Sequence, residues 1–186
     1  MSAGARFIVF AVALALVAAD AGPASAERVP LLEVDRGGVT FAAEVQPGGK
    51  HVTFYGSNLC LVRQGRIRVS RVDLIDPVGG AVVSDFTIVR GWNGMRGFWA
   101  KRLSKIRSIS HGSDRLRGWC GRADHAFWVL YVHLTKPAAA EAAGGKGLRI
   151  TYRNGHGQRR VRSSTGLYVC EDLDGQLCDE TTAGGT

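Results

Sequence analysis

The chain has 186 residues, with 24 basic against 16 acidic side chains, a formal net charge of +8 and 45% hydrophobic residues. That length suits one ordinary domain, and the apolar fraction is enough for a real core, which excludes an intrinsically disordered chain. Arg outnumbers Lys 19 to 5, a bias expected of a high-GC bacterial genome and silent about function.

The first 26 residues read as a signal peptide. Arg6 supplies a positive n-region, residues 7–19 form an apolar h-region, and Ala24-Ser25-Ala26 gives the small-x-small pattern of a cleavage site before Glu27. The apolar run reaches 13 residues before Asp20, Gly22 and Pro23, short of the ~20 that a spanning helix needs. No later apolar run is long enough to cross a bilayer. The expected product is an exported protein, secreted or held in the cell envelope, with its mature chain starting near Glu27.

Residues 27–38 follow as a lead-in with Pro30 and Gly37-Gly38, and residues 39–170 carry the expected domain. Val39, Phe41, Ala43 and Val45 alternate with polar or small residues, a period-2 pattern that buries one face of a strand. Residues 46–49 form a turn, and a second strand runs from His51 until Gly56-Ser57-Asn58 breaks it. Residues 59–62 continue into a further strand.

In residues 66–75, Ile67 and Val69 share one parity and Val72 and Leu74 the other. One regular strand cannot bury both sets on one face, so a β-bulge or sheet switch is expected near Ser70-Arg71. A turn at residues 76–80 precedes a strand over 81–90.

Residues 126–134 are the strongest core strand. Trp128, Leu130, Val132 and Leu134 fall on one side and Phe127, Val129 and Tyr131 on the other, so it should run through the middle of a sheet. Residues 137–143, rich in Ala after Pro137, suggest one or two helical turns ended by Gly144-Gly145. Residues 146–153 alternate Leu148, Ile150 and Tyr152 inward with Arg149, Thr151 and Arg153 outward, and Asn154-Gly155 marks a hairpin. Seven or eight short strands with turns between them imply an all-β fold. An immunoglobulin-like β-sandwich is expected, with a jelly roll or small barrel as the alternative and one or two short helices.

Four cysteines in an exported chain read as two disulfides. Of the three pairings, Cys60–Cys120 across the sandwich with Cys170–Cys178 around a short loop is preferred. No C-x-x-C is present to suggest a metal or redox site.

The most distinctive segment is residues 90–122, with nine basic residues and one acidic, Asp114. Trp99, Leu103 and Ile106 fall at helical spacing on one face, while Arg96, Lys101, Arg102, Lys105 and Arg107 are candidate contacts for an anionic partner. The plain alternative is a helix lying across the sandwich with its cations in water. For an exported protein, an anionic wall polymer or a membrane surface is the expected partner rather than nucleic acid.

The remaining constellations are weak. Residues 171–186 form an acidic tail whose Asp172-x-Asp174-Gly175 resembles only part of a calcium loop. The histidines at 51, 111, 125, 133 and 156 show no i, i+4 pair, and His125 and His133 lie about 26 Å apart on an extended chain. His111-Gly112-Ser113-Asp114 holds the residue types of a hydrolytic triad, but triad members converge from separate elements, and there is no G-x-S-x-G elbow. The sequence therefore names no catalytic residue, metal or cofactor. A non-enzymatic binding or cell-surface module is the first expectation, and a hydrolase acting on an envelope polymer the alternative.

Overall fold

In the computed structural model of the chain, residues 31–34, 38–91, 103–120, 127–174 and 178 are described. In chain order they form β1 (Leu32–Val34), β2 (Thr40–Glu44), β3 (His51–Leu61), β4 (Gly65–Ile75), β5 (Val82–Arg90), α1 (Leu103–Ser110), β6 (Arg115–Gly118) and β7 (Trp128–Thr135). β8 (Ala142–Gly145), β9 (Gly147–Asn154), β10 (Gly157–Ser163) and β11 (Gly166–Cys170) follow. The expected signal peptide lies outside the described residues.

The protein is mostly β. Its strands form two four-stranded sheets, ordered β1-β3-β7-β5 and β10-β9-β4-β6, and a three-stranded sheet, β2-β11-β8. All pairings are antiparallel except β2 with β11.

One main core joins the three sheets. Phe54, Leu59 and Leu61 of β3 and Leu130, Val132 and Leu134 of β7 meet Ile67, Val69, Val72 and Leu74 of β4. Leu148 and Ile150 of β9 and Leu167 and Val169 of β11 complete it. β7 runs between β3 and β5 and is apolar on both faces, as its sequence requires. Its second face, Val129 and Tyr131, forms a smaller core with Val89 and with Leu103 and Ile106 of α1. The i, i+3 spacing of those two helix residues sets them on one stripe, and that stripe holds α1 against the sheet. Trp99 lies outside the described residues.

The parity change in β4 is met by a bulge. The register against β9 slips between Val69 and Arg71, so Ile67, Val69, Val72 and Leu74 all reach the core. A second slip, between Tyr55 and Ser57 against β7, corrects the expectation that residues 56–58 end a strand. Gly56 is instead absorbed as a bulge, and β3 continues to Leu61.

Three other expectations are corrected. Residues 137–143 are not helical. A turn at residues 137–140 leads into β8, which pairs with β11. A Cβ on Gly144 would stand 2.3 Å from the Leu167 carbonyl oxygen, so the small residues here allow a close strand approach that outweighs helix propensity. The lead-in contains a strand, β1, paired with the end of β3. The β9–β10 hairpin turns on Gly155-His156, since Asn154 is already paired with Gly157.

Both expected disulfides are present. Cys60–Cys120 joins β3 to the segment after β6, bridging the two four-stranded sheets with a Cα separation of 5.6 Å. Cys170–Cys178 ties the residues after β11 back onto that strand, at 6.0 Å. Among the described residues no helix is long and apolar enough to cross a membrane.

Candidate functional site

The bulge at Ser70 also decides what faces solvent. With the inward residues of β4 on one side throughout, Arg66 and Arg68 before the bulge and Arg71 and Asp73 after it all point outward. Neighbouring strands continue the pattern. β6 sets Arg117 opposite Arg66 and Arg115 opposite Arg68. β9 sets Arg153 opposite Arg68 and Arg149 opposite Asp73. β10 adds Arg162 opposite Arg149 and Arg160 opposite Thr151. The outer face of the β10-β9-β4-β6 sheet thus carries nine arginines and no lysine.

Few carboxylates offset them. Arg68 Nε lies 2.5 Å from Asp114 Oδ2 and Arg115 Nε 3.8 Å from Asp114 Oδ1, while Arg71 Nε lies 2.7 Å from Asp73 Oδ1. Arg66, Arg117, Arg149, Arg153, Arg160 and Arg162 have no ion-pair partner among the described residues. Like charges directly opposite on adjacent strands destabilise a sheet. Here Arg66/Arg117, Arg68/Arg115, Arg68/Arg153 and Arg149/Arg162 all stand so.

The face is relieved by shallow depressions. One of 630 Å³ lies between β4, β5 and α1 and is lined by Arg68, Arg107, Arg153, Asp85 and Asp114 among others. One of 430 Å³ lies over Arg71, Arg149 and Arg160, and one of 280 Å³ over Arg66, Arg115 and Arg117. Together they follow the arginine rows from one end of the sheet to the other.

Of the cations expected to meet an anionic partner, Arg96, Lys101 and Arg102 lie outside the described residues. Lys105 is exposed on α1. Arg107 is engaged internally. Its guanidinium grips Asp85 with two bonds, Nη1 to Oδ2 at 2.9 Å and Nη2 to Oδ1 at 2.6 Å, and donates to the Phe86 carbonyl. It clamps α1 to β5.

The possible hydrolytic residues are likewise occupied locally. Ser113 Oγ donates to the Arg115 carbonyl, Ser113 pairs as an isolated bridge with Ile88, and Asp114 holds Arg68. Both carboxylates of the 630 Å³ depression, Asp85 and Asp114, are bound by guanidinium groups. In the acidic tail Asp172 Oδ1 accepts from the Asp174 backbone N–H at 3.0 Å.

The sheet also makes a histidine pair that linear spacing hides. β3 and β7 bring the rings of His51 and His133 to 5.4 Å, and His133 Nδ1 shares a 2.9 Å hydrogen bond with Thr53 Oγ1. Partial burial lowers the His133 pKa, the His51 charge lowers it further, and Asp85 opposes both. Among the described residues no three His, Cys, Asp or Glu side chains are placed to hold a metal ion together.

The arginine face had a signal in the sequence. Arg66-Ile67-Arg68, Arg115-Leu116-Arg117 and Arg160-Val161-Arg162 repeat one Arg-apolar-Arg triplet, which puts both cations on the wet side of a strand. The triplets are scattered over the chain and meet only through strand pairing, whereas the basic run over residues 90–122 is visible in the sequence itself. The chain matches no known family model and no curated protein.

Proposed function

We propose that this protein is an extracytoplasmic, non-enzymatic binding module that holds an anionic polymer of the cell envelope on the outer face of its β10-β9-β4-β6 sheet. The observation that carries this reading is the set of directly opposed arginine pairs. They weaken the free fold, and a polyanion laid across them removes that repulsion while gaining charge-assisted, forked hydrogen bonds. The two disulfides fit an oxidising compartment, and residues 1–26 supply the export signal. In this reading the two four-stranded sheets form an immunoglobulin-like sandwich pinned by Cys60–Cys120. β2-β11-β8 closes one side.

Retention of the oxidised protein on heparin and on purified envelope fractions across a salt series tests the proposal. Binding should weaken steeply as salt rises, because each engaged anion releases counterions. A variant with Arg149, Arg153, Arg160 and Arg162 changed to Gln should elute at clearly lower salt and show a shallower salt slope. A Lys105→Gln variant should behave as wild type. Equal elution of wild type and the four-site variant would defeat the reading.

A further inference from the structure

Trp119 is 61% exposed, more than any other large apolar side chain among the described residues. It follows β6 directly and sits two residues beyond Arg117, about 7 Å on an extended chain. Its backbone is nonetheless fixed. Gly118 pairs with Gly65, the Cys120 N–H donates to the Leu61 carbonyl at 3.2 Å, and Cys120 is bonded to Cys60. Val62 and Leu31, also exposed, flank the same point, with the Val62 N–H donating to the Leu31 carbonyl at 3.0 Å. An indole is thus held in water at one end of the arginine strip by its neighbours' bonds and not by its own burial.

Resting on the reading of that strip as a polyanion site, we infer that the partner is an acidic polysaccharide. One sugar ring stacks on Trp119, and carboxylates along the polymer are held by Arg66 and Arg117 and then by the arginines of β4 and β9. The C–H groups on one face of a pyranose are weakly positive and meet the negative face of the indole. A carboxylate matches the planar fork of a guanidinium.

Two other polyanions fit less well. The strip runs about 20 Å from Arg66/Arg117 to Arg149/Arg162 at ~3.3 Å per residue. A bilayer entered end-on by Trp119 would leave the far arginines about two and a half Debye lengths from its headgroups at physiological salt. A linear polymer lying along β4 meets both ends at once. Single-stranded nucleic acid is held by aromatic platforms for successive bases, whereas none of the outward residues of β4, β6, β9 and β10 is aromatic.

Calorimetric titration of the oxidised protein from Glu27 onward with polygalacturonate, and with polyphosphate as a polyanion lacking sugar rings, tests this. Trp119→Ala should weaken polygalacturonate binding at least about fivefold, as loss of one stacked ring does, and leave polyphosphate binding within about twofold of wild type, since charge contacts are untouched. Trp119→Phe should keep most of the polygalacturonate affinity. Unchanged thermal midpoints in both variants would show that the fold is intact.

Equal polygalacturonate binding by wild type and Trp119→Ala would overturn the inference, as would an absence of polygalacturonate binding by wild type. Salt-sensitive heparin retention that persisted in either case would leave the broader polyanion reading standing. Phosphatidylglycerol vesicles bound in a Trp119-dependent way without polygalacturonate binding would replace the saccharide by a membrane.

Discussion

Lys136 is fully enclosed, a position that lysine tolerates only with its charge satisfied. Its ammonium donates to Glu171 Oε1 at 2.8 Å and to the Ala140 carbonyl, and the same Oε1 accepts from the Gly48 N–H at 2.9 Å. This ion pair therefore ties together the end of β7, the turn before β8, the β2–β3 turn and the chain leaving β11. The Lys136 hydrogen bond, then the Gly48 N–H, hold the Glu171 carboxyl below its ordinary value of 4.5. For a carboxyl whose folded pKa is depressed, the unfolded chain binds the proton first. The stabilisation is thus complete above the ordinary value and is lost as pH falls through the folded one. Thermal midpoints from pH 7 to pH 3 should fall more gently in Glu171→Gln than in wild type, from a lower starting point. The lower start follows because the buried ammonium keeps only Ala140 and a neutral amide. Lys136→Met, which removes the buried charge itself, should be much better tolerated at pH 7 than Glu171→Gln. Identical acid profiles for wild type and Glu171→Gln would show that the pair does not carry this dependence.

The disulfides act between elements, and their loop lengths rank them. Cys60 and Cys120 are 60 residues apart, Cys170 and Cys178 only 8. Restricting the unfolded chain gives about 4 kcal/mol for the longer loop and about 2.5 kcal/mol for the shorter. Replacing each pair by Ala and measuring urea denaturation should reproduce that order, and a larger loss from the Cys170/Cys178 pair would reject loop closure as the source. Both pairings were legible because a short loop and a cross-sheet span satisfy all four cysteines. The bulge at Ser70 was legible too, since a strand whose apolar parity inverts must slip to bury both halves. The helix expected at residues 137–143 was not real, because Ala-rich composition reports local propensity. What decides that segment is the close approach of Gly144 to Leu167 and the Lys136–Glu171 ion pair beside it, both made between residues distant in the chain. For the same reason the candidate site escaped a linear reading. Arg66 and Arg117, like Arg149 and Arg162, are separated in the chain and become neighbours only through register, as do His51 and His133.

At the scale of the whole molecule, the charge has a shape as well as a sum. The net +8 is unevenly spread, since nine arginines share one sheet face with Asp73 and Asp114 beside them. Repulsion among exposed charges is screened over about 10 Å at 0.1 M salt, the scale that separates strands two apart. Salt should therefore act on this protein in opposite senses. It should weaken polyanion binding by removing the gain from counterion release, yet stabilise the free fold by screening the opposed guanidinium pairs. A thermal melt series from about 20 mM to about 500 mM sodium chloride, where the screening length shrinks several-fold, should raise the midpoint of the wild-type protein. The variant with Arg149, Arg153, Arg160 and Arg162 changed to Gln should start higher at low salt and respond less. General salting-out would raise both proteins alike, and chloride bound at one discrete pocket would saturate early in the series. A midpoint that rose equally in the two proteins would mean that the arginine face costs the free fold little. The case for a polyanion would then rest on binding data alone. A rise confined to wild type would connect the instability of the face to the ligand that relieves it.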